Sequence, residues 1–558
     1  MLSVVWVAML LLVNPVGDFP LNDDWAYGQT VRHLLETGEF RPSGWTATNL
    51  LFQTLWGALF CLPFGFSFNA LRLSTLVLGL VGVLATYGVL REVRAPSWLA
   101  ALGALVLACN PIYLALSATF MTDVPFVALA TASLYFLLRG LRLGGVVPIG
   151  LGFALATLAI LTRQLGLALP VGFACAYLAR HGLWPRTLLL ASLPVLVGVA
   201  LQLAYETWLR EAGLMPAHFG YQIRSLTEQL RLGPPTVMRG ALSILVCALI
   251  YLGLFLCPVL PLMGWRSLSG RSAAQPAILL AGTVVAAGIS GVVVQRYWGG
   301  SLMPIWKNVL VTTGIGPLTL QGYEGPAEGT MAPYRLAITA LGVVAGAFLA
   351  ARLAMVAVQL LVRLSRCRVT GEEAAVILAL VVAGVSFAPL PFLGFGVFGF
   401  YDRYLIVLIP PLLAALAGST PRIALLRREG WAFGAGLALV LLSGSFAVAA
   451  AHDYLAWNRA RWVALHELMR DRQVPLTRIF GGFEFNGWYL YERYRDDPDW
   501  GRVRFFWADS DDYVATFEPL PGYETLGSYR VAWWLPWAAT RPAVLAQRRI
   551  GGAHPAAP

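Results

Sequence analysis

Charged residues are scarce in this chain of 558 residues: Asp, Glu, Lys and Arg together make up 12%, against roughly 25% in a soluble globular domain. That shortage leaves too little polar surface to cover a water-soluble core. It excludes a soluble enzyme, a disordered chain and a nucleic-acid-binding module. Lysine is nearly missing, with Lys307 the single example. The six cysteines (Cys61, Cys109, Cys175, Cys247, Cys257 and Cys367) form no CxxC pair, so neither a disulfide framework nor a cysteine metal site is expected. They read as small apolar packing residues. The six histidines show no HxxxH-type ligand spacing, and His218, in an outer loop, is the one singled out. No nucleotide-binding loop, heptad run, tandem repeat or low-complexity segment is visible.

What is abundant is hydrophobic sequence, 58% of the chain. A bilayer-spanning helix needs about 20 mostly apolar residues. Thirteen segments qualify, near 2–17, 70–90, 97–110, 123–139, 146–162, 164–179, 187–205, 241–263, 276–294, 335–361, 373–391, 403–418 and 431–451. The first is either a helix or a signal sequence; it lacks a basic start and a clear small-residue cleavage site, which favours the helix. The net charge of +11 lies wholly in residues 1–452, because the 13 basic and 13 acidic residues after 452 cancel. Fourteen arginines fall in alternate short loops, at 91/94, 139/142, 180/186, 266/271, 363/366/368 and 422/427/428. Positive loops stay inside, so the N-terminus is expected inside and the C-terminus outside. Outer loops then cover 18–69, 206–240 and 295–334. Residues 453–558 form a small outer α/β domain, with a helix near 454–472 and short apolar runs at 477–480, 503–507, 513–518 and 529–534. The fold class is a polytopic α-helical membrane protein with about 13 transmembrane helices.

Polar residues that resist this background are the candidates for chemistry. The first outer loop reads FPLNDDWAYGQT. Asn22 is expected to cap a helix beginning at Asp23, with the acids complementing the helix dipole. Asp23, Tyr27 and Thr30 then share one face. Adjacent carboxylates Asp23 and Asp24 suit one general base and one group that orients it or binds substrate; an ordinary cap with an acidic first turn explains the same spacing. Asp123, in FMTDVPF, is the sole charged residue between Arg94 and Arg139, and a lone carboxylate at membrane depth needs a cavity or a partner. Arg163, Arg403, Arg296 and Lys307 fall on the outer side, against the positive-inside bias. A lipid phosphate at the membrane surface would account for them, as would ion pairing or interfacial snorkelling.

At these residues the sequence resembles the C-type glycosyltransferases, in the superfamily of protein O-mannosyltransferases and aminoarabinose transferases. NDDWAY, FMTDVPF, the TRQ around Arg163 and DRYLIVLIPP around Arg403 carry the resemblance. It implies Asp23 as the catalytic base, with Asp24 standing where the family usually has Glu, and Asp123 as the later loop acid. It places Arg163 at a phosphate-binding cation position and aligns Arg403 and Tyr404 with an Arg-Tyr pattern near a late helix. The Lys-Pro-Pro-type motif of aminoarabinose transferases is absent, and TATNLLFQ occupies that region.

The implied activity is transfer of one sugar, with inversion, from a polyprenyl-phosphate carrier to an acceptor hydroxyl at the outer face of a bacterial plasma membrane. The acceptor is a glycan, a lipid or a protein. Arg163, Arg403, Tyr404, Lys307 and Arg296 are expected around the donor phosphate, and Tyr27 beside the substrate. No metal ligands are assigned, although some relatives use a divalent ion and others none. En bloc oligosaccharide transfer and lipid-linked sugar transport are the competing readings. One-sided clustering of the polar residues disfavours transport, which places polar groups near the midplane.

Overall fold

The computed structural model describes residues 1–220, 227–231, 233–263, 274–306, 308–316, 319–320, 328–365, 369–393, 400–422, 425, 430–494, 506–538 and 542–550. Each apolar segment contributes a helix, but among the described residues not all thirteen are long enough to count as full spans. Among the described residues, eight helices are long and apolar enough to cross a bilayer: Phe68–Glu92, Asp123–Leu143, Pro185–Glu211, Pro234–Leu256, Gln275–Trp298, Met331–Ser365, Gly371–Phe392 and Gly430–Asp471. A ninth arises if Ser97–Ala108 and Pro111–Ser117, bent by 64°, count as one span. The bend has a local cause. Pro111 carries no N–H for the preceding turn, and the Asn110 side chain caps the new helix by accepting from Ile112 and Tyr113.

The remaining segments are shorter than they look in sequence. Leu2–Val13, Val146–Ile160, Ala168–His181 and Ile409–Gly418 hold 12, 15, 14 and 10 residues, or about 15–23 Å of helix. A bilayer core is roughly 30 Å thick. Two of them lose a turn to tight 3-10 helix before they start, at Gln164–Leu167 and at Asp402–Leu408. The chain is nonetheless a polytopic helical membrane protein. Close crossings hold the bundle together. A Cβ on Gly253 of the helix Pro234–Leu256 would strike the Gly346 backbone in the helix Glu328–Ser365, the small-residue contact that lets membrane helices approach.

The helix Asp123–Leu143 orients the molecule. Its 21 residues span about 30 Å, with Asp123 at one end and Arg139 and Arg142 at the other. Both arginines reach Glu92, at 3.0 and 2.7 Å. Arg94 pairs with Glu372 and Arg363 with Glu373 at this same end, around a cavity of about 1110 Å³ that also takes in Arg180 and Arg422. Arg266, Arg271, Arg366, Arg368, Arg427 and Arg428 lie outside the described residues.

At the opposite end sit the first loop and the C-terminal region. The helix Asp24–Thr37 starts one residue later than expected, with Asp23 in the cap position and no side-chain cap bond. Asn22 instead takes a left-handed backbone, φ 57°. The apolar helix Leu51–Cys61 follows within the same loop. The last spanning helix does not stop near 452: Gly430–His466 runs unbroken from the bundle into the C-terminal region, since no proline or glycine interrupts it after Gly444. Beyond it lies a four-stranded sheet, ordered Ile479–Phe480, Tyr513–Thr516, Ala543–Arg549, Tyr523–Arg530. The first pair is parallel, with Ile479 opposite Tyr513, and the others are antiparallel. The runs at 477–480 and 513–518 thus become strands, whereas most of 503–507 lies outside the described residues. The run 529–534 overlaps only the end of a strand, and Ala543–Arg549 was not expected. The helix Phe483–Tyr494 packs between this sheet and the first loop.

Candidate active site

Two carboxylate–guanidinium pairs meet where the first loop covers the helix ends. Arg163 Nη1 lies 3.0 Å from Asp123 Oδ1, and its Nε donates to Thr122 Oγ1 at 2.8 Å. Arg403 Nη2 lies 3.4 Å from Asp23 Oδ2. The pairs form one cluster: Arg403 feels Asp123 as well as Asp23, and Tyr27 lies within the field of all four charges. Burial, then the Asp23 charge, pushes the Tyr27 hydroxyl above its ordinary pKa. Arg403 also lies over the Tyr401 ring at 4.9 Å and the Tyr404 ring at 5.8 Å.

The local sequence explains the placement. Thr122 and Asp123 sit at the start of a helix, where the dipole favours an acid. Arg163 is extended, φ −147°, in the break between two helices, which lets its side chain turn back to Asp123. Arg403 is the second residue of the 3-10 turn Asp402–Leu408, before Pro410 and Pro411. Its neighbour Asp402 is taken up structurally, accepting the backbone N–H groups of Val309 and Leu310 at 3.1 and 2.8 Å.

The adjacent acids Asp23 and Asp24 have different environments. The Asp23 side chain keeps 17% of its surface exposed and accepts the Trp45 indole N–H on Oδ1 at 3.0 Å. Asp24 is 1% exposed and points the other way. Its Oδ1 accepts the Leu21 N–H, and its Oδ2 accepts the Phe120 N–H at 3.1 Å. Burial pushes the Asp24 carboxyl up to about 8, against the pull of the Phe120 N–H and the Arg72 charge. Asp24 ties the loop to the segment before Asp123; Asp23 faces the opening.

Of the candidates read in the sequence, Asp23, Asp123, Arg163, Arg403, Tyr27 and Tyr404 come together. Arg296 is exposed at the end of the helix Ala274–Trp298 and makes none of the site's contacts among the described residues. Lys307 lies outside the described residues. Arg403 is only 7% exposed, yet its Nε and Nη1 find no hydrogen-bond partner among the described residues. A buried guanidinium in that condition is costly unless an anion completes it. No three His, Cys, Asp or Glu side chains gather as a metal site among the described residues.

Several residues that build the site had not been singled out in the sequence. Arg72 donates to the carbonyls of Pro15, Gly17 and Phe19 at 2.6–3.0 Å and so fixes the start of the loop. A charge inside an apolar helix was the available signal for it. Glu484 and Arg461 form an ion pair at 2.9 Å with both side chains fully buried, and Glu484 accepts the Asn22 N–H at 3.3 Å. Trp45 gave no local signal. His218 packs against the Trp45 ring, with centroids 4.4 Å apart.

A family model matches part of this chain in sequence, and solved structures align with most of its length at low similarity. Residues 52–208 match the family described as dolichyl-phosphate-mannose-protein mannosyltransferase. No curated protein is significantly similar to the chain. The structure of ArnT from Cupriavidus metallidurans in the apo state aligns with 98% of this chain and 97% of its own, at 18% identity and a TM-score of 0.36. The same protein bound to undecaprenyl phosphate aligns equally, with a TM-score of 0.35. The Archaeoglobus fulgidus oligosaccharyltransferase, tethered with an acceptor peptide, aligns with 84% of this chain and 57% of its own, at 13% identity and 0.40. At scores this low nothing further is inferred from the overlap. The sequence match is the stronger statement, because its span includes both Asp123 and Arg163. Through that stretch the chain is similar to the dolichyl-phosphate-mannose-protein mannosyltransferase family.

Proposed function

We propose that the protein transfers a single sugar, with inversion, from a polyprenyl-phosphate donor to an acceptor hydroxyl at the outer face of a bacterial plasma membrane. The observation that carries this reading is the buried Arg403 guanidinium, two of whose nitrogens find no hydrogen-bond partner among the described residues, set 3.4 Å from a carboxylate that is partly open to the surface. An anion on one side and a base on the other is what displacement of a phosphate by a hydroxyl requires. The family description, a dolichyl-phosphate-linked mannose donor, supports a polyprenyl-phosphate carrier.

In the proposed reaction, Asp23 accepts the acceptor's hydroxyl proton as that oxygen bonds to the anomeric carbon. The bond from this carbon to the phosphate oxygen breaks on the opposite face, and its electron pair leaves with the lipid phosphate. Arg403 Nε and Nη1 receive the departing charge, while Nη2 stays on Asp23. Arg163, oriented by Asp123 and Thr122, adds a second positive charge. Preorganised charge of this kind supplies the larger part of such catalysis. Tyr27 and Tyr404 border the space between the pairs, on the donor's sugar and phosphate. The acceptor, whether glycan, lipid or protein, approaches from the surface that leaves Asp23 exposed.

Lipid mass spectrometry on a strain lacking the gene tests the reading. A polyprenyl-phosphate monosaccharide should accumulate and should clear when the wild-type chain is restored, and its mass then identifies the sugar. If the lipid pool is unchanged on deletion, the donor assignment is wrong. Accumulation of an oligosaccharide-linked lipid would move en bloc transfer to the front.

A further inference from the structure

Asp23 is held by parts of the chain remote from it in sequence, and the same helix stands behind both contacts. The Trp45 N–H that donates to Asp23 Oδ1 belongs to an indole enclosed by three rings of the C-terminal region. Phe483, Trp507 and Tyr491 lie 5.6, 5.4 and 6.1 Å from it between centroids, the last two nearly perpendicular. From the helix Phe483–Tyr494 also comes Glu484, which accepts the N–H of Asn22, the left-handed residue just before Asp23. Glu484 is fixed in turn by Arg461 and by the Thr319 hydroxyl, both at 2.9 Å.

The surfaces meet with no slack. A Cβ on Gly487 of this helix would come within 2.5 Å of the Trp25 ring, and one on Gly44 within 2.5 Å of the Tyr491 hydroxyl. Simple packing of a domain on a loop needs neither an indole N–H aimed at a carboxylate nor a fully buried ion pair beside it. Both are directional, and they converge on two adjacent residues, the side chain of Asp23 and the backbone N–H of Asn22.

We infer that the helix Phe483–Tyr494 is a positioning element for the base, acting through Trp45 on the side chain of Asp23 and through Glu484 on the backbone N–H of Asn22, the residue before it. The inference rests on Asp23 being the base. The Trp45 bond occupies Oδ1 and fixes the carboxylate rotamer, which leaves Oδ2, on the Arg403 side, directed at the incoming hydroxyl. Trp45 is thus a positioning residue and touches no reacting atom.

Trp45→Phe keeps an aromatic ring in the pocket and removes only the N–H. Using the donor lipid purified from the deletion strain, with membranes of that strain as acceptor, kcat should fall roughly tenfold to a hundredfold, the loss of one hydrogen bond to a charged group. KM for the donor and the thermal midpoint should stay near wild type. In an Asp23→Asn background the same change should have little further effect, because residues acting through one another are not additive. Unchanged kcat in Trp45→Phe overturns the inference while leaving the base assignment intact. Full activity in Asp23→Asn instead removes the base, and the positioning role with it. Should Trp45→Phe fail to accumulate, Phe483→Leu relaxes the same indole without touching Asp23. It should lower kcat at constant KM, and a rise in KM alone would count against the inference.

Discussion

Asp23→Asn separates the chemistry of the site from its architecture. Asparagine keeps an oxygen to accept the Trp45 N–H at 3.0 Å and nearly the same volume. It loses the negative charge 3.4 Å from Arg403 and the ability to take a proton. The structural cost is small, because the pair is long and Asp23 is partly open to water; about 1–2 kcal/mol is the expected scale. The catalytic cost is larger. General-base catalysis contributes roughly 10²–10⁴ in rate, or about 3–5 kcal/mol of barrier. Turnover should therefore fall at least a hundredfold while the protein still inserts, purifies and unfolds within a few degrees of wild type. The assay is clearance of the accumulated donor lipid in the complemented strain, beside thermal unfolding of the detergent-solubilised protein. Turnover above about 5% of wild type, at matched expression, would refute a base role for Asp23.

Arg403→Gln and Arg163→Gln should each raise the donor KM about tenfold or more and weaken inhibition by free polyprenyl phosphate, through loss of charge-assisted bonds; unchanged inhibition would separate that arginine from the phosphate. Asp24 gives a pH signature. Its carboxyl is held near 8 when folded against about 3.8 in the unfolded chain, so the folded state favours the proton. The stability it contributes is complete below about pH 4, fades as pH rises and is gone above about 8. The thermal midpoint of wild type should therefore drop between pH 6 and 9 relative to Asp24→Asn, and parallel curves would contradict this. Gly253→Val should destabilise by about 2–4 kcal/mol, because the Gly346 backbone cannot move aside; a midpoint within 1 °C or so of wild type would show that the crossing is looser than described.

Much of the site was legible because its charges stand out against apolar sequence. Asp123 and Arg163 are isolated among hydrophobic residues, and the arginine alternation placed them on one side together with Asp23 and Arg403. The structure joins them as two pairs. Helix positions were legible for the same reason, but their lengths were not. An apolar run says nothing about the 3-10 turn that takes up Asp402–Leu408 or the 64° bend after Ala108. Equivalence of the two adjacent acids could not be judged either. Only the fold reveals that Asp24 turns toward two backbone N–H groups. Trp45 and Glu484 escaped notice because their partners are set by tertiary packing, and Glu484 reads locally as one acid in an aromatic run. The strand Ala543–Arg549 was missed because Ala-Val-Leu-Ala-Gln-Arg-Arg carries a helix former's composition. Pairing on both sides overrides it.

The bond between Asn22 and Glu484 joins positions 462 residues apart, and that separation is also an interval of time. At about 5–20 residues per second, a ribosome works for roughly 20–90 s between the two. Every spanning helix has been made before the anchor of the first loop exists. A chain that terminates early, anywhere between His466 and Glu484, would carry the spanning helices and still lack this tie on the residue before Asp23. Synthesis order thus places this tie on the first loop among the last contacts the chain can make.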